Sequence, residues 1–272
     1  MKPQEIKTFQ DIVYAHYKKN KRDFPWRKTK DPYHILVSEI MLQQTQTDRV
    51  VPKFNDFLAK FPTVETLAKA PLKAVLSAWQ GLGYNRRGLM LHNAAKEICA
   101  THGGIVPKTE KELISLPGIG PYTAAAIMAF AFNKPTVVIE TNIRAVFIHH
   151  FFKSKEKIGD KEILPFIQKT LNIKNPRRWY SALMDYGTSL KKEHKNPSRK
   201  SAHYSKQSKF KGSDREIRGA IIRELTQKSF SKQILFKKLT PYEISKERFE
   251  TILEKLLREN LITKQKNIFT LS

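Results

Sequence analysis

Apolar side chains recur at Ile6, Phe9, Val13 and Tyr17, the three-to-four-residue spacing of one helix face, and predict a helix over 5–19. The segment RDFPWR at 22–27 interrupts it, because Pro25 disfavours a helical conformation at Phe24. From Asp31 to Phe61 the periodicity resumes and reads as two helices broken near Pro52. Further helix-like runs follow at 64–78, 87–101, 109–115, 121–132, 141–151, 161–170 and 177–190. No convincing series of alternating strand residues precedes residue 213, so the main domain, 1–190, is expected to be all-α.

Between Lys191 and Ser213 the pattern lapses into KKEHKNPSRKSAHYSKQSKFKGS, with almost nothing to bury, and 191–213 reads as a basic linker. Periodicity returns in a smaller module at 214–272. It has amphipathic helices at 214–227 and 246–260, a shorter one at 231–238, and two short apolar runs in 261–271. Three helices followed by a hairpin resemble a winged helix, whose recognition helix would lie in a major groove; a helical module that merely docks on the core is the alternative.

Charge adds a partner to this outline. Among 272 residues, 50 Lys+Arg against 25 Asp+Glu leave a formal net charge of +25, which implies a polyanion, duplex nucleic acid first. No run of 18 apolar residues and no apolar signal core at the N-terminus appear, so a cytoplasmic protein without membrane association is expected, nucleoid-associated if bacterial. The single cysteine, Cys99, excludes an intramolecular disulfide framework and any four-cysteine metal site within the chain.

The most specific motif is Leu116-Pro117-Gly118-Ile119-Gly120, set between the helix-like TEKELIS and PYTAAAIMAFAF. Two glycines one residue apart permit a tight turn with unusual backbone angles. Uncovered amides at the start of a helix that opens on Pro121 would seat a phosphate oxygen without reading sequence.

With this hairpin, the collinear stretches FPWR (24–27), DPYHILVSEIMLQQTQT (31–47), FPTVETLAKAPLKAVLSAWQGLGYNRRGLMLH (61–92), LPGIGPYTAAAI (116–127) and ETNIRAV (140–146) resemble the helix-hairpin-helix DNA glycosylase superfamily. Within it they resemble the adenine DNA glycosylases of the MutY type, over about residues 20–190. The resemblance implies a two-lobed helical core that binds duplex DNA containing a mismatch or lesion, flips a base out and hydrolyses its N-glycosidic bond. A monomer is expected. The implied substrate is adenine mispaired with 8-oxoguanine or guanine. The alternatives are excision of thymine, uracil or a modified base, because PYTAAAI also resembles the mismatch thymine glycosylases, or a catalytically weak DNA-binding protein.

Cleaving such a bond needs the leaving base protonated and an oxocarbenium-like sugar stabilised, work for two carboxyl groups. Glu39 lies inside the apolar ILVSEIML, where desolvation would keep a proton on it, and the resemblance makes it the general acid. Glu140 stands where the family has Asp followed by Gly, and here Thr141 follows. It would stabilise the sugar cation, form a covalent intermediate or position water, or else only cap the next helix. Asn142 resembles the residue that orients the attacking water or the carboxylate. Tyr122 occupies the place of the Schiff-base lysine of bifunctional relatives. A phenol cannot form that imine, so a monofunctional enzyme without lyase activity is expected.

By the same resemblance, Gln44 and Tyr84 wedge into the gap left by the flipped base, Leu116, Gly118 and Gly120 form the phosphate hairpin, and Arg22, Trp26 and Arg27 wall the base pocket. Arg86, Arg87 and His92 would add phosphate contacts, or simply form a basic face. The family's cluster of four cysteines is missing: its expected stretch begins GTSLKKEHKNPSRK, with Lys191 near the first expected cysteine, so no iron–sulfur cofactor is expected, although a monovalent or divalent cation at the hairpin is compatible with the motif. The family's usual domain for checking the opposite 8-oxoguanine is likewise not expected in 214–272, which would leave opposite-base recognition to the core or the small module.

Overall fold

Proline placement and apolar periodicity explain most of the helix boundaries in the computed structural model, which describes residues 1–272. The order is α1 (Pro3–Asn20), α2 (Pro32–Leu42), α3 (Thr47–Lys60), α4 (Val64–Lys69), α5 (Leu72–Ala78), α6 (Arg86–His102) and α7 (Glu110–Ser115). There follow α8 (Pro121–Phe130), α9 (Thr141–Phe151), α10 (Asp160–Thr170), α11 (Pro176–Glu193), α12 (Asp214–Gln227), β1 (Phe230–Ser231), α13 (Lys232–Lys238), α14 (Lys246–Arg258), β2 (Ile262–Gln265) and β3 (Ile268–Leu271). No helix is long and apolar enough to cross a membrane.

Two boundaries differ from the sequence reading. The break expected near Pro52 falls at Gln43–Gln46, where Gln44 takes a left-handed conformation (φ 56°), and Pro52 sits inside α3. The run 64–78 splits into α4 and α5 because Pro71 holds Ala70 extended (φ −67°, ψ 144°).

The chain gathers into two units, one of residues 1–36, 108–115 and 119–206, the other of 37–107, 116–118 and 207–272. In the first, α11 is the central helix. Its Trp179, Tyr180 and Leu183 are buried with Phe9 and Val13 of α1, Ala125 and Ala129 of α8, Phe147 of α9, and Ile163 and Ile167 of α10. The Tyr180 hydroxyl donates to the Thr136 carbonyl (2.7 Å) and accepts from Val138 N (3.1 Å), pinning the extended strand-like stretch before α9. Burial pushes that phenol up to about 12.

Two residues of α11 set the geometry around it. A Cβ on Gly187 would lie 2.1 Å from the carbonyl oxygen of Asn142, so only glycine lets α9 begin where it does. Asp185, 1% exposed, takes Arg22 Nε at 2.6 Å and Arg27 Nη1 and Nη2 both at 2.8 Å, tying the RDFPWR turn to the helix. Burial alone would raise this carboxyl, but the hydrogen bonds and charge of Arg27, with those of Arg22, outweigh it and hold it below the ordinary value.

The stretch read as a linker begins at His194, after α11, and part of it is packed. Pro197 and Ser198 are buried, Asn196 Oδ1 caps them by accepting from Ser198 N (3.1 Å), and Ile158 bridges to Ser201 through Ile158 N to Lys200 O (2.8 Å) and Ala202 N to Ile158 O (2.9 Å). A turn rich in lysine can bury its small residues because its charges stay outside.

In the second unit, helix, strand, two helices and two strands run in the order of a winged helix, with an antiparallel sheet ordered β1-β3-β2 and Lys264 opposite Phe269. The module is not free-standing. Ile217, Ile221 and Leu225 of α12 and Phe249, Ile252 and Leu256 of α14 bury one core with Leu76 of α5 and Leu89 of α6.

Gly187→Ala should destabilise the protein by about 1–3 kcal/mol through overpacking, seen as a lower Tm in thermal unfolding. Asp185→Asn should cost about 3–5 kcal/mol, since it strands buried guanidinium groups. Because the Asp185 carboxyl is depressed in the folded state, its contribution is present above the unfolded value of about 3.9 and is lost as pH falls through the folded one. The Tm gap between wild type and Asp185→Asn should therefore be constant near neutrality and shrink only below about pH 4; a gap that widens in acid would overturn this account.

Candidate active site and nucleic-acid interface

Glu140 is held in place by the start of α9. It occupies the N-cap: Oε1 accepts from Asn142 N (2.8 Å) and Ile143 N (3.0 Å), and Oε2 from Asn142 Nδ2 (3.1 Å). Two backbone donors at the positive end of the helix fix the direction of its carboxyl group. Asn142 is fixed in turn by the Thr188 hydroxyl, which donates to its Oδ1 at 3.3 Å from the turn of α11 that Gly187 makes accessible. Glu140 thus caps α9, and its side chain is half-buried.

Cations surround this carboxylate. Arg144, one turn into α9, grips Asp160 with Nε and Nη2, both at 2.7 Å. Its guanidinium is raised above the ordinary value by that hydrogen bonding and by the charge of Asp160, with Glu140 and Tyr122 adding to the same field. Lys191, near the end of α11, is half-buried. Burial lowers its ammonium, the Glu140 charge opposes this, and Arg22 reinforces it. Tyr122, the second residue of α8, is half-buried and packs against the α11-centred core. Sequence reasoning named Lys191 only as the place of a missing cysteine.

The residues expected to wall a base pocket are placed by Asp185. Arg27 gives both terminal nitrogens to that carboxylate and also donates to the Arg22 carbonyl (2.9 Å). Phe24 and Trp26 are both buried, stacked at 4.9 Å and 15°, and the guanidinium carbons of Arg22 and Arg27 lie 5.1 Å from the Phe24 ring centre. The signal missed in the sequence was a lone acid on the apolar face of 177–190.

The second unit holds the other expected residues. Glu39 is 7% exposed, with Leu36, Val37, Ile40 and Met41 buried around it on α2. Gln44 is exposed beyond that helix, and Tyr84 (φ 48°) ends the GLGY turn. Arg86 is exposed, whereas Arg87 is turned inward. Arg87 Nη1 donates to the carbonyls of Ile40 (2.8 Å), Met41 (3.0 Å) and Gln43, and Nη2 donates to the Thr45 hydroxyl (2.9 Å) and the carbonyls of Leu82 and Gly83 (both 3.2 Å). Burial pushes its guanidinium down to about 10. Its expected phosphate contact gives way to a positioning role: with its terminal nitrogens engaged in this way, it welds the Gln44 loop to the Tyr84 loop. His92, 1% exposed, cannot reach a phosphate either, and burial keeps its imidazole neutral near pH 7.

In the hairpin only Gly118 needs its glycine for conformation. Its φ is 76°, and a Cβ there would meet Met90 Cβ at 2.6 Å. Gly120 has ordinary angles (φ −92°, ψ 176°) and open space around its Cα, so its missing side chain clears the approach to the first turn of α8. Leu116 is 2% exposed and anchors the turn in the core rather than presenting a side chain to DNA. The second unit also holds a cavity of about 430 Å³, lined by Gln44, Tyr84, Arg86 and Gly118 among others.

No group of three or more His, Cys, Asp or Glu side chains is arranged to hold a metal ion. The stretch after α11 has no cysteine, and Cys99 lies on α6, so the residues present do not fit an iron–sulfur cluster.

Residues 37–171 match the family model described as the HhH-GPD superfamily of base excision DNA repair proteins. The chain is 35% identical over 183 residues to the adenine DNA glycosylase of Buchnera aphidicola subsp. Baizongia pistaciae (strain Bp), covering 67% of this chain and 52% of that protein. It is 33% identical over 154 residues to the thymine/uracil-DNA glycosylase of Methanothermobacter thermautotrophicus, covering 56% and 70%. A solved structure of a thermostable thymine-DNA glycosylase superposes with a TM-score of 0.60 at 27% identity, over 68% of this chain and 86% of that one. The chain spans about half the length of the curated adenine glycosylases it matches. With its hairpin, its buried Glu39 and its capped Glu140, the chain belongs to the HhH-GPD superfamily of base excision DNA repair proteins.

Proposed function

We propose that this protein is a monofunctional DNA glycosylase that flips adenine out of a pair with 8-oxoguanine or guanine and hydrolyses its N-glycosidic bond. The observation that carries this reading is the contrast between its two carboxyl groups. Glu39 is 7% exposed on an apolar helix, while Glu140 is half-buried and accepts three N–H hydrogen bonds at the start of α9. In this reading Glu39 gives its proton to a nitrogen of the leaving base as the C1′–N bond breaks. Glu140 stabilises the resulting sugar cation until water adds at C1′ and loses a proton.

Adenine is supported as the base by the names of the relatives that match this chain over 183 residues at 35% identity and over 135 residues at 43% identity. Thymine or uracil opposite guanine is the second reading, favoured by the Methanothermobacter relative, of which the match covers more than two thirds. The net charge of +25 and the open approach to α8 at Gly120 support a duplex partner held mainly by phosphates.

Labelled duplexes carrying A:8-oxoG, A:G, T:G, U:G and hypoxanthine pairs, treated with alkali after incubation, test the reading; abasic sites at adenine are the expected result, and cleavage confined to T:G or U:G would transfer the assignment to the second reading. Glu39→Gln should lower single-turnover cleavage by about 10²–10⁴-fold while duplex affinity stays near wild type; undiminished cleavage would remove Glu39 from the chemistry. Borohydride should trap no covalent protein–DNA adduct, because Tyr122 offers no amine. A trapped adduct would refute the monofunctional assignment and point to Lys191.

A further inference from the structure

Tyr84 is held by the C-terminal module. Its backbone is left-handed, a conformation an aromatic residue keeps only under external constraint, and that constraint is visible. The guanidinium carbons of Arg87 and Arg215 lie 5.3 and 5.2 Å from its ring centre. The Tyr84 hydroxyl accepts from Arg215 Nη1 (2.9 Å) and from Gln207 Nε2 (2.8 Å), and Gln207 also reaches the Gln44 carbonyl (3.5 Å). Arg215 is braced by Ser208, whose carbonyl and hydroxyl accept from Nη2 at 2.6 and 3.2 Å. Arg87 belongs to the glycosylase domain itself, but Arg215 opens α12 of the winged helix.

The rest of the module is less suited to DNA than its fold implies. On α14, the helix that would enter a groove, Arg248 pairs with Asp214 (2.8 Å), Arg258 lies near Glu254 (3.7 Å), and Glu250 pairs with Lys232 of α13. Acidic residues interrupt its cationic surface. By contrast α12 turns Arg215 and Arg218 to the cavity that Gln44, Tyr84 and Arg86 also line, and Arg218 is fixed there by an ion pair with Glu259.

We infer that Arg215 is a positioning residue for the Tyr84 wedge, and that the winged-helix module acts on DNA recognition through α12 and this cavity rather than through α14. The inference rests on the proposed glycosylase function, with Tyr84 as the wedge that the family resemblance implies. Two guanidinium groups hold the ring between them, and the paired donors on its hydroxyl fix its direction. Without Arg215 the ring loses one of its two guanidinium contacts and one of the two donors on its hydroxyl, so its orientation for insertion into the base stack is less firmly held and binding at the gap weakens.

The test uses the full-length protein and a duplex with a tetrahydrofuran abasic analogue opposite guanine and 2-aminopurine next to it. Wild type should raise the 2-aminopurine fluorescence as the neighbouring base unstacks. Arg215→Ala should weaken binding about tenfold and lose most of that rise. Arg215→Lys, which keeps the charge but loses the forked donors, should recover affinity only in part. Gln207→Ala, at an exposed position, should shift both readouts the same way by a smaller factor and serves where Arg215→Ala lowers the Tm. Wild-type fluorescence and affinity in Arg215→Ala, or no fluorescence rise with wild type, would overturn the inference even if adenine is excised. Binding that depends on Arg215 with no base removed from any duplex would instead overturn the proposed function and leave the inference standing.

Discussion

A carboxylate buried to 1% exposure is stable only when its charge is matched on the spot, and Asp185 meets that condition with two arginines from a turn more than 150 residues earlier in the chain. The match has consequences along α11. It fixes Arg22 and Arg27, over whose guanidinium groups the Phe24 ring lies, and Phe24 in turn supports Trp26. One turn away, Gly187 brings Asn142 against the same helix, and Thr188 hydrogen-bonds to the Asn142 side chain. The direction in which Glu140 points is therefore set by the packing of α9 on α11, with the cap hydrogen bonds as the last step of a longer chain.

Arg87 plays the corresponding part in the second unit. Short loops leave carbonyl groups without helical partners, and each buried one needs a donor. One guanidinium serves carbonyls from the end of α2 and from the GLGY turn, and so ties together the segments that carry Gln44 and Tyr84. The exposed neighbour Arg86 is left to face solvent and the cavity. Adjacent arginines in the sequence thus divide into a structural and a surface cation, according to which of them the start of α6 turns inward.

The packed turn after α11 follows the same logic. There Asn196, Pro197, Ser198 and Ser201 supply a capped turn and a one-residue bridge to Ile158. Such contacts hold the backbone close to the folded core while leaving Lys192, Lys195 and Arg199 exposed, which keeps positive charge at the surface of the turn.

The sequence by itself determined the helical class, the hairpin, the place of Glu39 in an apolar helix and of Glu140 before the next, and the impossibility of a four-cysteine cluster. These depend on periodicity, on glycine and proline stereochemistry and on counting, all of which are local. It also indicated the winged-helix order of the C-terminal module. Only the tertiary structure decided that Arg87 and His92 face inward, that Arg22 and Arg27 are claimed by Asp185, that Gly187 is required by a backbone on another helix, and that Arg215 attends Tyr84. Each of these is a pairing between residues distant in sequence, or a choice of which face a helix buries. An arginine in a sequence carries no mark of the carbonyl or carboxylate that will satisfy it; that partner is chosen when burial makes leaving it unpaired too costly.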